Sequence, residues 1–318
     1  MTKFDIYKIK IHKSQNKKRI DQALTYHLEK FSRSSIKILL VNKNVKKSNK
    51  IINTPSLKVA EGEIYEVFVP KIINLKDAPE NIKLDIIHED EDIIILNKKP
   101  GMVIHPAPGN KNHTLVNALL YHTKNNLSDI NNKRPGIVHR IDKDTSGLIV
   151  VAKNNESHNF LAKQFKDHSI TRKYYAIVWG VPQNQSIKGY IERNKINRKK
   201  MSLNKNGKGK YSETNLILKK IYNICSLVDC SIKTGRTHQI RVHLSSIKFP
   251  IIGDKLYGNN NVYKNKNDLK YLLVKNFPRQ ALHAYILGFL HPRTKKYVEY
   301  KTALPEDMSQ LLQFLLKY

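Results

Sequence analysis

Gly136-Ile137-Val138-His139-Arg140-Ile141-Asp142-Lys143-Asp144-Thr145-Ser146-Gly147-Leu148-Ile149-Val150-Val151-Ala152-Lys153 places a polar turn with one Arg and two Asp between two apolar, β-branched runs. Runs of this kind form strands, and a turn at the end of a rigid sheet is where reactive side chains are presented. The pattern predicts strand-turn-strand. On residue types alone an ordinary connection is the commoner meaning of such a turn. A calcium loop is a second possibility, because Asp142, Asp144 and Ser146 fall at its first, third and fifth positions and Gly147 at its sixth. It fails at the twelfth, where the bidentate Glu is replaced by Lys153. A cation there repels calcium, and the flanks read as strand rather than helix.

Working outward, 318 residues can bury a full core and divide into two domains. Lys and Arg total 57 against 26 Asp and Glu, a formal charge of +31. Such an excess is self-repulsive unless a polyanion is the usual partner, which favours nucleic acid, with an anionic membrane surface as the alternative. No apolar run approaches the roughly 18 to 20 residues that span a bilayer, and Met1 to Lys10 alternates like a strand and lacks a secretory apolar core. Cys225 and Cys230 are too few for a disulfide scaffold or a zinc site and are expected as buried thiols in a reducing compartment. A cytoplasmic, soluble protein without a membrane partner is expected.

Residues 1–17 read as a leading strand and basic linker. Ile20, Ala23, Leu24 and Leu28 repeat at helical spacing, and Ser32 is placed to cap a second helix through Ile36, Leu39 and Leu40. Short strands around Val45 and Ile51 and a final one over Ile64–Val69 complete a unit spanning 18–78. Lys71 to Asn81 reads as a linker punctuated by prolines. From 79 to 318 the apolar strands are longer: Ile86-Ile87, Ile93–Leu96, Tyr174–Trp179, Leu216–Leu218 and Leu227–Ile232, with Leu282–Leu290 as a strand or buried element. Helices are expected over Thr114–His122, Thr237–Ser246 and Glu306–Leu315, and Asn259–Asn267 is an Asn/Lys-rich loop. Strands outnumber helices without βαβ alternation, which predicts an α+β domain on a mixed, largely antiparallel sheet.

His139-Arg140-Ile141-Asp142-x-x-Thr145-Ser146-Gly147 resembles the catalytic motif of the RNA pseudouridine synthases of the large-subunit rRNA type, the RluA family. Three further stretches resemble its motifs in the same order: Arg172-Lys173-Tyr174-Tyr175-Ala176, Thr234-Gly235-Arg236-Thr237-His238-Gln239-Ile240-Arg241-Val242-His243, and Arg279-Gln280-Ala281-Leu282-His283-Ala284. The last carries weight only through its order. Arg19-Ile20-Asp21-x-x-Leu24 and Ser32-Arg33-Ser34 resemble the small alpha-L (S4-like) RNA-binding domain. Asn44 stands where that family commonly has Gly, a mild departure because Asn tolerates a left-handed backbone.

The resemblance implies a catalytic domain over 79–318 that turns uridine into pseudouridine in large-subunit rRNA, in the helix 69 stem-loop facing the decoding region. Another rRNA or tRNA target and a non-catalytic assembly factor are the alternatives. The reaction breaks the ribose–base bond, turns the base and rejoins it through carbon. It uses no cofactor or metal, which fits a chain without clear phosphate-loop or metal motifs. It needs one carboxylate at the sugar–base junction, as nucleophile or proton acceptor. The resemblance assigns that carboxylate to Asp142, its cationic partner to Arg236, the base-stacking ring to Tyr174 and a wall of the uracil pocket to Leu282. Arg140 would fill the gap left by the extruded nucleotide or anchor a phosphate. Tyr175 is expected on the opposite strand face. Asp144 and His139 are expected to shape the turn. His238 and His243, one residue off the spacing of two helical ligands, are expected to be structural. Arg33, Lys37, Lys43, Lys46 and Lys47, and Arg198, Lys199 and Lys200 in the basic segment 193–210, are expected to meet RNA phosphates. Each such residue is also readable as part of a solvated basic face. The chain is expected to act as a monomer on rRNA or a ribosomal subunit.

Overall fold

A computed structural model of the chain describes residues 4–28, 31, 33–70, 78–106, 110, 112–131, 134–258 and 269–317. Ser32, most of the linker after Pro70 and the loop over 259–267 lie outside them. The chain divides into two compact units, 1–76 and 77–318.

The smaller unit runs β1 (Phe4–Lys10), α1 (Ile20–His27), α2 (Arg33–Val41), β2 (Val45–Lys47), β3 (Lys50–Ile51) and β4 (Ile64–Pro70). Its sheet has the order β1-β4-β2-β3, with β1 paired antiparallel to β4 along its whole length. The leading strand is therefore part of this unit, because Ile9 packs into its core, where a separate strand and linker were expected over 1–17. Ile20, Leu24, Ile36 and Leu40 are buried at the predicted helical spacing against Val45 and Val67. The left-handed residue after α2 is Lys43, with φ 62°, and not Asn44. Ser48 and Asn49 both have positive φ, 47° and 65°, which closes β2 and β3 as a two-residue hairpin without glycine.

The larger unit contains β5 (Ile86–Glu89), β6 (Ile93–Lys98), α3 (Leu115–His122), β7 (Ser146–Ala152), α4 (Asn155–Lys166), β8 (Thr171–Trp179), β9 (Gln185–Arg193), β10 (Met201–Asn204), β11 (Lys210–Tyr222), β12 (Cys225–Ile232), α5 (Gln239–Ser246), α6 (Leu269–Lys275), β13 (Leu282–Leu290), β14 (Tyr297–Lys301) and α7 (Glu306–Lys317). Its strands form one sheet in the order β10-β9-β11-β12-β8-β13-β7-β6-β5, with β14 added to β13. Among the described residues only β13 and β7 are parallel, so the sheet is mixed and largely antiparallel, as the pattern predicts. Thr114 caps α3, with Asn117 completing the capping box, three residues along. The apolar run before the Asp142 turn is not a strand. Gly136 to His139 makes one isolated bridge, Ile137 to Val151, and crosses the end of β7 as a loop.

The β7–β13 seam places the candidate site. Gly147 has φ 115°, and a Cβ there would lie 2.2 Å from the Ala284 carbonyl oxygen. Only glycine lets the two backbones approach so closely while adopting that conformation. Leu282, Tyr174 and Asp142 are thereby gathered at one end of the sheet.

Candidate active site

Asp142 lies in the loop entering β7, and that loop is held from several sides. The Lys98 side chain is 1% exposed, and its Nζ donates to the carbonyls of Lys99 at 2.8 Å, Met102 at 3.0 Å and Lys143 at 2.8 Å. Arg279 Nη1 donates to the Asp144 carbonyl at 3.2 Å, Gln280 Nε2 donates to Thr145 Oγ1 at 3.2 Å, and Ser146 Oγ bonds His283 Nδ1 at 2.9 Å. The stretch Arg279–His283, weak as a motif, thus clamps the turn. Asp144 contributes through its backbone. His139 Nε2 accepts from the Val150 amide at 3.0 Å while its ring stacks on Phe165 at 4.6 Å. Burial, reinforced by the Arg172 charge, pushes His139 down to about 3, so it is a neutral acceptor.

A cavity of 240 Å³ opens on this loop, lined by Arg140, Asp142, Tyr174, Arg236 and Leu282 among others. Asp142, Tyr174, Arg140 and Leu282 are therefore brought together as expected. Arg140 is exposed, whereas Tyr174 and Leu282 are buried. Burial also raises the Tyr174 phenol, which keeps its proton. Tyr175 points to the other face and stacks on Tyr285 at 3.7 Å.

The cation on Asp142 differs from the expected one. Arg236 donates from Nε to the Tyr211 carbonyl at 2.8 Å and lines the cavity without pairing with the carboxylate. The partner is Arg241, whose Nη1 lies 2.9 Å from Asp142 Oδ2. Arg241 in turn makes a bidentate pair with Asp254, Nε to Oδ2 at 2.7 Å and Nη2 to Oδ1 at 2.9 Å. Asp254 is fully enclosed and also accepts from the Leu256 and Tyr257 amides at 2.9 and 3.0 Å. Burial alone would lower the Arg241 guanidinium and raise the Asp254 carboxyl. Their mutual attraction outweighs both effects, so each stays charged. One guanidinium is therefore fixed from behind and offers a single N–H pair to Asp142, whose Oδ1 carries no hydrogen bond from the described side chains.

The helix carrying Arg241 is anchored by the rest of its motif. Gln239 accepts from Thr234 Oγ1 at 2.7 Å and the Arg236 amide at 3.0 Å, and donates to the Glu213 carbonyl at 2.9 Å. His243 sits buried between Ser212 and Thr214, both at 2.9 Å, in the structural role expected of it. His238 departs from that expectation: it begins α5 with φ 57°, lines the cavity, and its Nε2 lies 3.9 Å from Asp142. Burial lowers His238, and Nδ1 bonds the Tyr257 hydroxyl at 2.8 Å, so it faces Asp142 as a neutral ring. His238 as N-cap and Arg241 in the first turn of α5 both reach Asp142, a convergence that residue types alone do not reveal.

Several expected phosphate contacts already have partners. Arg33 pairs with buried Asp21 at 3.2 Å, Lys47 pairs with Glu63, and Lys46 lies 5.1 Å from the Phe68 ring. Lys37 and Lys43 are exposed. Arg198, Lys199 and Lys200 form the turn between β9 and β10. Among the described residues one cluster, Asp90, Asp92 and His291, has metal-ligand types within reach of each other. Its carboxylates already bind His88, His291, Arg293 and backbone amides, an arrangement that suits a structural network.

A family model described as RNA pseudouridylate synthase matches residues 92–246, which contain the Asp142 loop, β8 and α5. Ribosomal large subunit pseudouridine synthase D of Zymomonas mobilis is 43% identical over 304 residues, covering 94% of each chain. An uncharacterized RNA pseudouridine synthase of Bacillus subtilis, YlyB, is 40% identical over 310 residues, covering 95% of this chain and 96% of that one. Among solved structures, Human RNA Pseudouridylate Synthase Domain Containing 1 superposes with a TM-score of 0.54 at 25% identity, covering 75% of this chain and 97% of that one. The chain belongs to the RNA pseudouridine synthase family and is an enzyme of that class. Its full-length relatives include several named as synthase D, so the resemblance extends beyond the catalytic motifs.

Proposed function

We propose that the protein isomerises specific uridines of large-subunit ribosomal RNA to pseudouridine, with Asp142 as the carboxylate that acts at the sugar–base junction. The observation that carries this reading is the Asp142 carboxylate itself. Arg241 holds one oxygen, the other takes no hydrogen bond from the described side chains, and the cavity around it has Tyr174 and Leu282 as apolar walls. An extruded uracil fits between those walls, with its ribose towards Asp142 and the flat guanidinium of Arg140 at the mouth. Arg241 holds the carboxylate in place, Tyr174 orients the base, and neutral His238 lines the cavity beside Asp142. The printed names of the synthase D relatives support the rRNA target, and the helix 69 stem-loop is the specific site we favour within it. The small unit, as an S4-like domain, and the β9–β10 turn with Arg198, Lys199 and Lys200 would hold the flanking phosphates, consistent with a charge of +31. Incubating the protein with naked rRNA, with ribosomal subunits and with tRNA, then mapping pseudouridine, tests the proposal. Modification confined to uridines of that stem-loop is expected; modification of tRNA alone contradicts the target.

A further inference from the structure

Arg172 is absent from the chemistry above, yet it is a cation built into the wall of the same cavity. It sits two residues before Tyr174 on β8 and is 7% exposed. Its Nε and Nη2 are enclosed and have no hydrogen-bond partner among the described residues. Among the described residues no carboxylate lies within ion-pair distance. What surrounds it is the Phe165 ring, 5.5 Å from Cζ, neutral His139, and a second cation, Arg236. A buried guanidinium without a counter-charge is costly, so its charge awaits compensation from outside the fold.

The remaining nitrogen, Nη1, borders Gly235. A Cβ at that position would lie 2.6 Å from Nη1, and nothing else comes within 3.4 Å of it. Gly235 does not have the positive φ that makes glycine obligatory, so its bare Cα serves to admit Arg172 Nη1 to this part of the cavity wall. Arg236 adjoins the same part. Two cations lining one part of the cavity, with Nη1 let in by Gly235, suit an anion.

We propose that Arg172 and Gly235 form an anion seat that takes a phosphate of the target nucleotide's own backbone. This rests on the reading of the cavity as the place where an extruded uridine is held. The seat would fix the sugar from its phosphate side while Tyr174 and Leu282 hold the base. Arg172 is thus a binding and positioning residue, which trades stability of the empty protein for hold on the nucleotide.

The test titrates the full chain with uridine 3′,5′-bisphosphate and with uridine, in wild type, Arg172→Met and Gly235→Ala, and records the unfolding midpoint of each. Wild type is expected to bind the bisphosphate at least tenfold more tightly than uridine. In Arg172→Met that preference should fall at least tenfold, with uridine affinity within twofold of wild type and the midpoint unchanged or higher. Gly235→Ala keeps the charge but drives a Cβ against Nη1 and displaces it, and should lose the preference in the same way. A bisphosphate preference that survives both substitutions, or is missing from wild type, overturns the seat. So does parallel loss of uridine and bisphosphate binding with a lowered midpoint, which marks Arg172 as a structural wall or a uracil contact. A protein that shows the expected preference but isomerises no RNA would refute the functional reading and leave the anion seat standing.

Discussion

Replacing Arg241 with Leu separates what this guanidinium does for the fold from what it does for the reaction. It leaves Asp254, whose side chain is 0% exposed, with two backbone amides but no cation. Stranding one member of a buried pair costs about 3–5 kcal/mol. For a domain of this size each kcal/mol lowers the melting midpoint by about 2–4 °C, so Arg241→Leu should melt some 6–20 °C below wild type. Adding Asp254→Asn removes the stranded charge and should recover most of that loss. Activity should not recover with it, because Asp142 still lacks the N–H that lies 2.9 Å away in the wild type. Loss of one fixed electrostatic partner at a reacting group lowers turnover by about 10²–10³-fold. The assay is single-turnover pseudouridine formation beside thermal melts for wild type, both variants and Arg236→Leu. Restored turnover in the double variant, or a deeper loss in Arg236→Leu than in Arg241→Leu, would refute the assignment of Arg241.

Lys98→Met strands three carbonyls around the Asp142 loop. It should cost on the order of 3 kcal/mol in denaturant unfolding and lower kcat more than it raises KM; unchanged stability would contradict the clamp. Gly147→Ala drives a Cβ to 2.2 Å from the Ala284 carbonyl at an unfavourable φ and should destabilise by roughly 3 kcal/mol, read as a lower urea midpoint; a neutral outcome would show that β7 and β13 yield easily. Burial holds His105, His243 and His283 down to about 4 and His139 to about 3. These imidazoles take protons in the unfolded chain below about pH 6.5 and not in the fold, so the unfolded state binds more protons and stability falls with acidification from pH 6.5 towards 4. Urea midpoints that stay flat across that window would contradict four neutral buried rings.

Much of this architecture is legible in the chain because its signals are local. The apolar runs that become β6, β8, β12 and β13, and the Thr-x-x-Asn start of α3, need no tertiary information. Those missed depended on context. The run Gly136–His139 is apolar and β-branched like a strand, yet its neighbour β7 already pairs with β6 and β13, so it packs as a covering loop. Helix α4 carries few apolar residues and shows its buried stripe only through His158, Leu161 and Gln164. The site followed the same rule. Asp142, Tyr174 and Leu282 were marked by motif order, but the choice between Arg236 and Arg241 depended on which guanidinium meets Asp142 and which meets the Tyr211 carbonyl. Lys98 and Asp254 stayed silent because a buried charge is defined by partners distant in sequence, Lys143 and Arg241.

Asp142→Asn keeps the shape of the site and removes its negative charge, so it tests the central claim most directly. Purified wild type and Asp142→Asn are each incubated with large-subunit rRNA, with binding measured alongside pseudouridine mapping. Near-normal RNA affinity with no pseudouridine at any position is the outcome expected if this side chain performs the chemistry. Isomerisation at the wild-type positions by the folded Asn variant would show that another group carries the reaction.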